Sequence, residues 1–246
     1  MKIRTFFSAA EAEGAEMPGS LAVVVDVIRA TSTMVEALAN GARAIYPTVS
    51  TEEAINLANS LGRDDTLLCG ERRGLKVDGF DLGNSPREYG REQVGGKRLV
   101  MSTTNGTRAF VATQGAERVL AGSLLNLGAL VEDVRKSAPE DLVVICAGKE
   151  GFFSLDDAVC AGLILQDLVE GDWNASSLEM NDASRAALSL AKSYRVDEAF
   201  LRRTAAGAAL VRVELGEDLA LCAERNRHGL VPEMRDRMIH LPGAGS

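Results

Sequence analysis

The chain has 246 residues, 46% of them hydrophobic, enough to bury the core of one large α/β domain or of two small ones. Lys and Arg number 27 against 35 Asp and Glu, a formal net charge of -8, so the basic face of a dedicated nucleic-acid binder is missing. A small anionic substrate is still compatible with this balance, held by a local arginine cluster or a metal ion.

The four cysteines, Cys69, Cys146, Cys160 and Cys222, form no CxxC pair, which points to reduced, buried thiols in a cytosolic protein. Residues 1–7 are too short an apolar run to open a signal peptide. The most hydrophobic stretch, 21–28, is interrupted by Asp26 and falls short of the roughly 20 residues that cross a bilayer. A cytoplasmic protein with no membrane contact is expected.

In chain order, short β-rich runs alternate with helical stretches, the pattern of a mostly parallel sheet with helices on both faces. Residues 21–27 (LAVVVDV) are almost continuously apolar, as a central strand requires. A helix starts near Thr31, with Met34, Val35, Leu38 and Ala42 at helical spacing and Asn40-Gly41 as its stop. Further strands are expected at 43–48, 66–69, 98–102, 118–121 and 142–147, and helices at 51–61, 124–137 and 155–169. Between them, 74–96 is long and turn-rich, and such a loop in a compact domain is commonly functional. From 181 to 224 the chain is Ala-, Leu- and Arg-rich and reads as helical.

In an open α/β sheet, ligands bind beyond the carboxyl ends of the strands. The first central strand ends in Asp26, an acid costly to bury unpaired, followed by Arg29 and the hydroxyls Thr31, Ser32 and Thr33. Hydroxyls and free N–H groups at a helix start suit a phosphate, although a plain N-cap with an Asp26–Arg29 pair explains them as well. Strand 98–102 runs into Thr103, Thr104, Asn105, Gly106, Thr107 and Arg108. The 66–69 strand leads to Glu71 and two arginines, and the 142–147 strand to Gly148-Lys149. Four such ends point to one shared anion cleft. Asp26, Glu71, Asp81, Asp156 and Asp157 are the carboxylates able to hold Mg²⁺. Of the last two, Asp157 better suits a mere helix-terminal acid.

Several motifs fail. Gly148-Lys149 lacks the rest of a P-loop, no GxGxxG follows the first strand, and no cysteine is followed by arginine six residues on. The 26–28 run has Ile28 where an aspartate phosphatase carries its second acid. Arg227-His228-Gly229 lacks the second arginine of a histidine acid phosphatase, so His228 reads as structural or peripheral.

Taken together, 26–33 (DVIRATST), Gly70-Glu71-Arg72, 79–86 (GFDLGNSP), 103–107 (TTNGT), Cys146-Ala147-Gly148 and the C-terminal Asn226-Arg227-His228-Gly229 resemble the 2-phosphosulfolactate phosphatase family (ComB-type). The resemblance spans roughly the whole chain and implies a single three-layer α/β/α domain over 1–246, with a helical subregion over 172–230. Those helices would cover the domain or form a homodimer face. It also implies a Mg²⁺-dependent acid phosphatase, a phosphoric monoester hydrolase that converts 2-phospho-3-sulfolactate to 3-sulfolactate on the way to coenzyme M.

Carried onto this chain, the resemblance gives Asp26 as nucleophile or as activator of a water, with Asp81 or Asp156 as the acid. Mg²⁺ falls to Asp26 with Glu71 or Asp156. Substrate contacts fall to Arg29, Thr31, Ser32, Asn84, Ser85, Thr103, Thr104, Asn105, Gly106, Thr107 and Lys149. Two other readings fit the same residues: a phosphatase for a different small organic phosphate, and a non-catalytic protein that binds a phosphorylated metabolite.

Overall fold

The computed structural model describes residues 1–170 and 178–243. The chain opens with β1 (Lys2–Phe6) and a short α1 (Ala9–Ala12), then β2 (Leu21–Val25), α2 (Ala30–Ala39), β3 (Ala44–Pro47) and α3 (Thr51–Leu61). Next come β4 (Thr66–Arg72), β5 (Leu75–Lys76), α4 (Arg91–Val94), β6 (Arg98–Ser102), α5 (Gly106–Val111) and β7 (Arg118–Gly122). They are followed by α6 (Leu127–Ser137), β8 (Asp141–Cys146), α7 (Leu155–Glu170) and β9 (Glu179–Met180). Four C-terminal helices, α8 (Asp182–Ser193), α9 (Glu198–Arg203), α10 (Ala205–Arg212) and α11 (Asp218–Cys222), precede a hairpin of β10 (Glu233–Arg235) and β11 (Met238–His240).

Among the described residues the strands form one sheet, ordered β5-β4-β6-β3-β11-β10-β7-β2-β8-β1-β9. Two parallel blocks can be distinguished within it. In one, β7, β2, β8 and β1 pair in parallel; in the other, β3, β6 and β4 do. The antiparallel β10–β11 hairpin joins them, with Met234 opposite Val119 on one side and Ile239 opposite Ile45 on the other.

Period-two alternation divides the core between the two sheet faces. Val23, Val25, Leu142 and Val144 pack with α6, α7 and the C-terminal helices, whereas Ala22, Val24, Val143 and Ile145 pack with α2 and Phe110. Val100 turns instead towards Ala54 and Ala58 of α3. Helices therefore lie on both faces of a mostly parallel sheet, the three-layer α/β arrangement expected.

Local chemistry sets the element ends. Ser50 caps α3 by accepting the Glu53 amide, and Gly62 closes it at a φ of +89°. The expected helix at 124–137 starts as one 3-10 turn, where Ser123 and Asn126 cap each other reciprocally. Residues 172–177 of the expected helical subregion lie outside the described residues. No helix among the described residues is long and apolar enough to cross a membrane.

Candidate active site

Four strand ends meet at one cleft of about 300 Å³. Its walls include Asp26 and Arg29 after β2, Glu71 at the end of β4, Thr103 to Asn105 after β6, and Gly148-Lys149 after β8. In the sheet, four strands separate β6 from β2. Even so, the loop after β6 reaches the tip of β2. A Cβ built on Gly106 would stand 2.7 Å from Asp26 Oδ2 and 2.4 Å from the Ala30 Cβ.

Asp26 sits at the floor, where Oδ1 accepts the Ala30 amide at 3.1 Å. Burial lifts its pKa to about 7, and the Asp156 and Glu71 charges push the same way, against the Ala30 amide and Arg29. Asp157 lines the cleft, but its oxygens accept the amides of Val27 (2.8 Å) and Gly148 (3.1 Å), tying the ends of β2 and β8 together. Its carboxyl is held well above the usual range by burial and by Asp156 and Asp26. Asp156 is buried behind the wall rather than in it. It meets the cleft through Ser154, a lining residue whose Oγ donates to Asp156 Oδ1 at 2.8 Å. Burial raises its pKa too.

Several residues expected to touch substrate are instead committed to protein atoms. Thr31 Oγ1 donates to the Asp26 carbonyl and accepts the Asp26 amide, and Ser32 Oγ donates to the Val27 carbonyl. Both hydroxyls are fully buried and close the turn that presents Asp26. Ser85 Oγ donates to Asp218, and Thr107 Oγ1 donates to the Thr103 carbonyl. Arg29 lines the cleft but is paired, with Nη1 on Asp218 Oδ2 at 2.6 Å and Nη2 on the Gly74 carbonyl at 2.7 Å. Asp81 lies outside the cleft, where its carboxylate accepts the Leu68 amide and pairs with Arg63 at 2.9 Å. That geometry removes the ground for Asp81 as the acid.

Of the remaining expected contacts, Asn84, Thr103, Thr104, Asn105 and Lys149 line the cleft, whereas Gly106 does not and packs instead against Ala30 and Asp26. Asn84 and Thr104 each hold a buried oxygen, Oδ1 and Oγ1, that has no hydrogen-bond partner among the described residues. Asn105 Oδ1 accepts the Glu150 amide, which fixes the 148–153 turn against the 103–107 turn. Lys149 is 3.6 Å from Glu150.

Glu71, expected on the metal, is used differently. Its two oxygens accept the amides of Thr104 (2.7 Å) and Gly74 (2.6 Å). Among the described residues no three Asp, Glu, His or Cys side chains are gathered closely enough to hold a metal ion. The three-carboxylate set of Asp26, Glu71 and Asp156 is therefore not assembled, because Glu71 is spent on backbone amides and Asp156 on Ser154. A site of fewer ligands does fit Mg²⁺, which binds through one or two carboxylates with substrate phosphate and water completing its shell. Asp26 and the orphaned oxygens of Asn84 and Thr104, residues of the same cleft, are the hard-oxygen donors such a site would draw on.

Sequence reasoning missed Asp218, the partner of Arg29 and Ser85, and the cleft residues Ser154 and Arg212, and it placed Arg73 at a strand end without giving it a role. Asp218 opens a short helix, and Arg212 ends an Ala- and Leu-rich one. In the sequence both look like ordinary helix-end charges.

A mostly parallel sheet whose strand ends converge on a polar cleft, floored by a buried carboxylate and edged by arginines, is the layout of an α/β enzyme that handles a small anion. Comparison with known proteins agrees. A family model described as 2-phosphosulpholactate phosphatase matches residues 6–237. The probable 2-phosphosulfolactate phosphatase of Clostridium perfringens (strain 13 / Type A) is 39% identical over 248 residues, spanning 100% of this chain and 98% of the relative. The protein of the same description from Synechococcus sp. (strain CC9605) is 42% identical over 224 residues, 89% of this chain and 92% of its own. That of Caldanaerobacter subterraneus subsp. tengcongensis is 40% identical over 220 residues, 88% of each chain. The chain belongs to the 2-phosphosulpholactate phosphatase family.

Proposed function

We propose that this protein hydrolyses 2-phospho-3-sulfolactate to 3-sulfolactate and phosphate, a step of the coenzyme M type, and that it does so with Mg²⁺. The observation that carries the reading is the meeting of Asp26 with the 71–74 and 103–107 turns in one cleft. The relatives' shared description supports the substrate.

Hydrolysis breaks the bond from phosphorus to the ester oxygen, with water supplying OH to phosphorus and H to the leaving alkoxide. Asp26 is the carboxylate at the floor, and it acts by attacking phosphorus or by taking the proton of the attacking water. Burial raises the pKa of Asp156, and the Ser154 hydroxyl that joins this carboxyl to the cleft is a route by which a proton reaches the leaving alkoxide. Bound Mg²⁺, held by Asp26 with the Asn84 and Thr104 oxygens, would neutralise phosphate charge there.

The test is phosphate release from 2-phospho-3-sulfolactate by the full chain, with Mg²⁺ and with excess chelator. Release that needs Mg²⁺ is expected. Equal rates in the two conditions overturn the metal, and no release in either overturns the substrate.

A further inference from the structure

The side chains of two arginines that line the cleft, Arg73 and Arg212, form no ion pair or hydrogen bond among the described residues. Arg73 stands in the two-residue turn between β4 and β5 at a φ of 54°. That left-handed conformation is uncommon for a residue with a Cβ and persists where its surroundings enforce it. Here they do. Glu71 Oε2 accepts the Gly74 amide at 2.6 Å, and Arg29 Nη2 donates to the Gly74 carbonyl at 2.7 Å.

The same turn lies against α10. A Cβ on Gly74 would be 3.5 Å from Leu210 Cδ2 and 3.6 Å from Val213 Cγ2. Arg212 falls between those two residues in the chain and lines the cleft with them and with Arg73, so both arginines belong to the wall where turn and helix meet. The other cleft cations are engaged, Arg29 by Asp218 and Lys149 by Glu150. Of the cleft acids, Asp26, Glu71 and Asp157 are buried and the exposed Glu150 faces Lys149, whereas Arg73 and Arg212 are exposed and unpaired among the described residues.

This separation orients an anion-rich substrate. A second acidic group placed beside the buried carboxylates would meet like charge in a poorly solvated place. At the wall it meets two unpaired guanidinium forks, whose geometry suits carboxylate and sulfonate oxygens.

We propose that Arg73 and Arg212 are the specificity-determining residues of the cleft, receiving the acidic group a phosphoester carries besides its phosphate and restricting efficient turnover to phosphorylated organic acids. The inference rests on the phosphatase reading. Its test uses the full chain with Mg²⁺ and two esters, 2-phospho-3-sulfolactate and phenyl phosphate, the second having no further acid. Arg73→Gly, which suits the turn, and Arg212→Gln should each raise KM for the acid-bearing ester about tenfold with kcat little changed. Neither should alter KM for phenyl phosphate, and Arg73→Lys should restore part of the loss.

Equal KM changes for both esters, or none for the acid-bearing one, overturn the proposal. If the unaltered protein cleaves neither ester, the phosphatase reading fails on its own. Calorimetry with the acid-bearing ester then reads the arginines alone: about tenfold weaker binding by the variants upholds them, and unchanged binding overturns them.

Discussion

Asp218 Oδ2 accepts a 2.6 Å hydrogen bond from Arg29 Nη1, and both side chains are almost completely buried. The second Asp218 oxygen takes the Ser85 hydroxyl at 2.6 Å. Arg29 thus stands fixed between a helix from the C-terminal region and the Gly74 carbonyl of the cleft turn. Removing one member of such a pair leaves an uncompensated buried charge. Asp218→Ala should cost about 3 kcal/mol of stability in urea denaturation, and should lower kcat/KM because Arg29 and Gly74 lose their anchor. An Asp218→Ala protein with unaltered stability and kinetics would show that the pair does not order the cleft.

The raised pKa of Asp26 makes stability fall with pH. Its ordinary value is 3.8 and its folded value about 7. Between those values the unfolded chain has released the proton while the folded one keeps it. The Asp26 contribution is therefore complete below about pH 4 and is lost as pH rises to 7. Asp26→Asn carries no such proton, so it should gain on the unaltered protein across that window by up to about 1.4 kcal/mol per pH unit. Denaturation at pH 5 and pH 8 with chelator present, so that no cation offsets the charge, measures the gap. A gap of the same size at both pH values would contradict the burial of a charged Asp26. The same variant should lose activity at least about 100-fold.

Much of this arrangement is legible in the sequence, for a physical reason. The 98–102 strand and the 51–61 helix match the expected bounds because a short apolar run, a Ser cap and a glycine stop are local signals. β1, expected as no particular element, runs Lys2 to Phe6 with alternating burial that five residues beside the chain start do not advertise. The β10–β11 hairpin went unread because its strands have three residues each and exist by pairing with distant β7 and β3. At the site, the strand-end logic pointed to Asp26, Glu71 and the 103–107 turn, of which Asp26, Glu71 and residues 103–105 line the one cleft. It could not say which hydroxyls are spent on backbone carbonyls, as Thr31 and Ser32 are, since that depends on how the turn closes.

Gly106 is required by closeness rather than by backbone freedom. A Cβ there would lie 2.4 Å from the Ala30 Cβ and 2.7 Å from Asp26 Oδ2. Gly106→Ala should destabilise by about 1–3 kcal/mol, and by displacing the floor carboxylate it should lower kcat by roughly 100-fold. Gly229, where an added Cβ meets nothing within 4 Å, provides the control. Gly229→Ala should leave both quantities in place, and a Gly106→Ala enzyme of normal kcat would mean that the contact between turn and strand tip is not needed.

His228 lies outside the cleft, and its chemistry is spent on α2. Its Nε2 is 2.8 Å from Glu36 Oε2, an oxygen that also accepts from Arg227 Nε at 3.2 Å. Asn40 Nδ2 donates to the other Glu36 oxygen, and the His228 amide donates to the Leu125 carbonyl. The histidine therefore fastens the segment before β10 to the helix that begins at the Asp26 turn, and it is too committed to serve as a phosphate acceptor. His228→Gln should reduce stability by about 1 kcal/mol while kcat/KM stays within about twofold. Phosphate-release kinetics on the refolded variant decide the matter, since a hundredfold loss in kcat with normal stability would return His228 to the reaction.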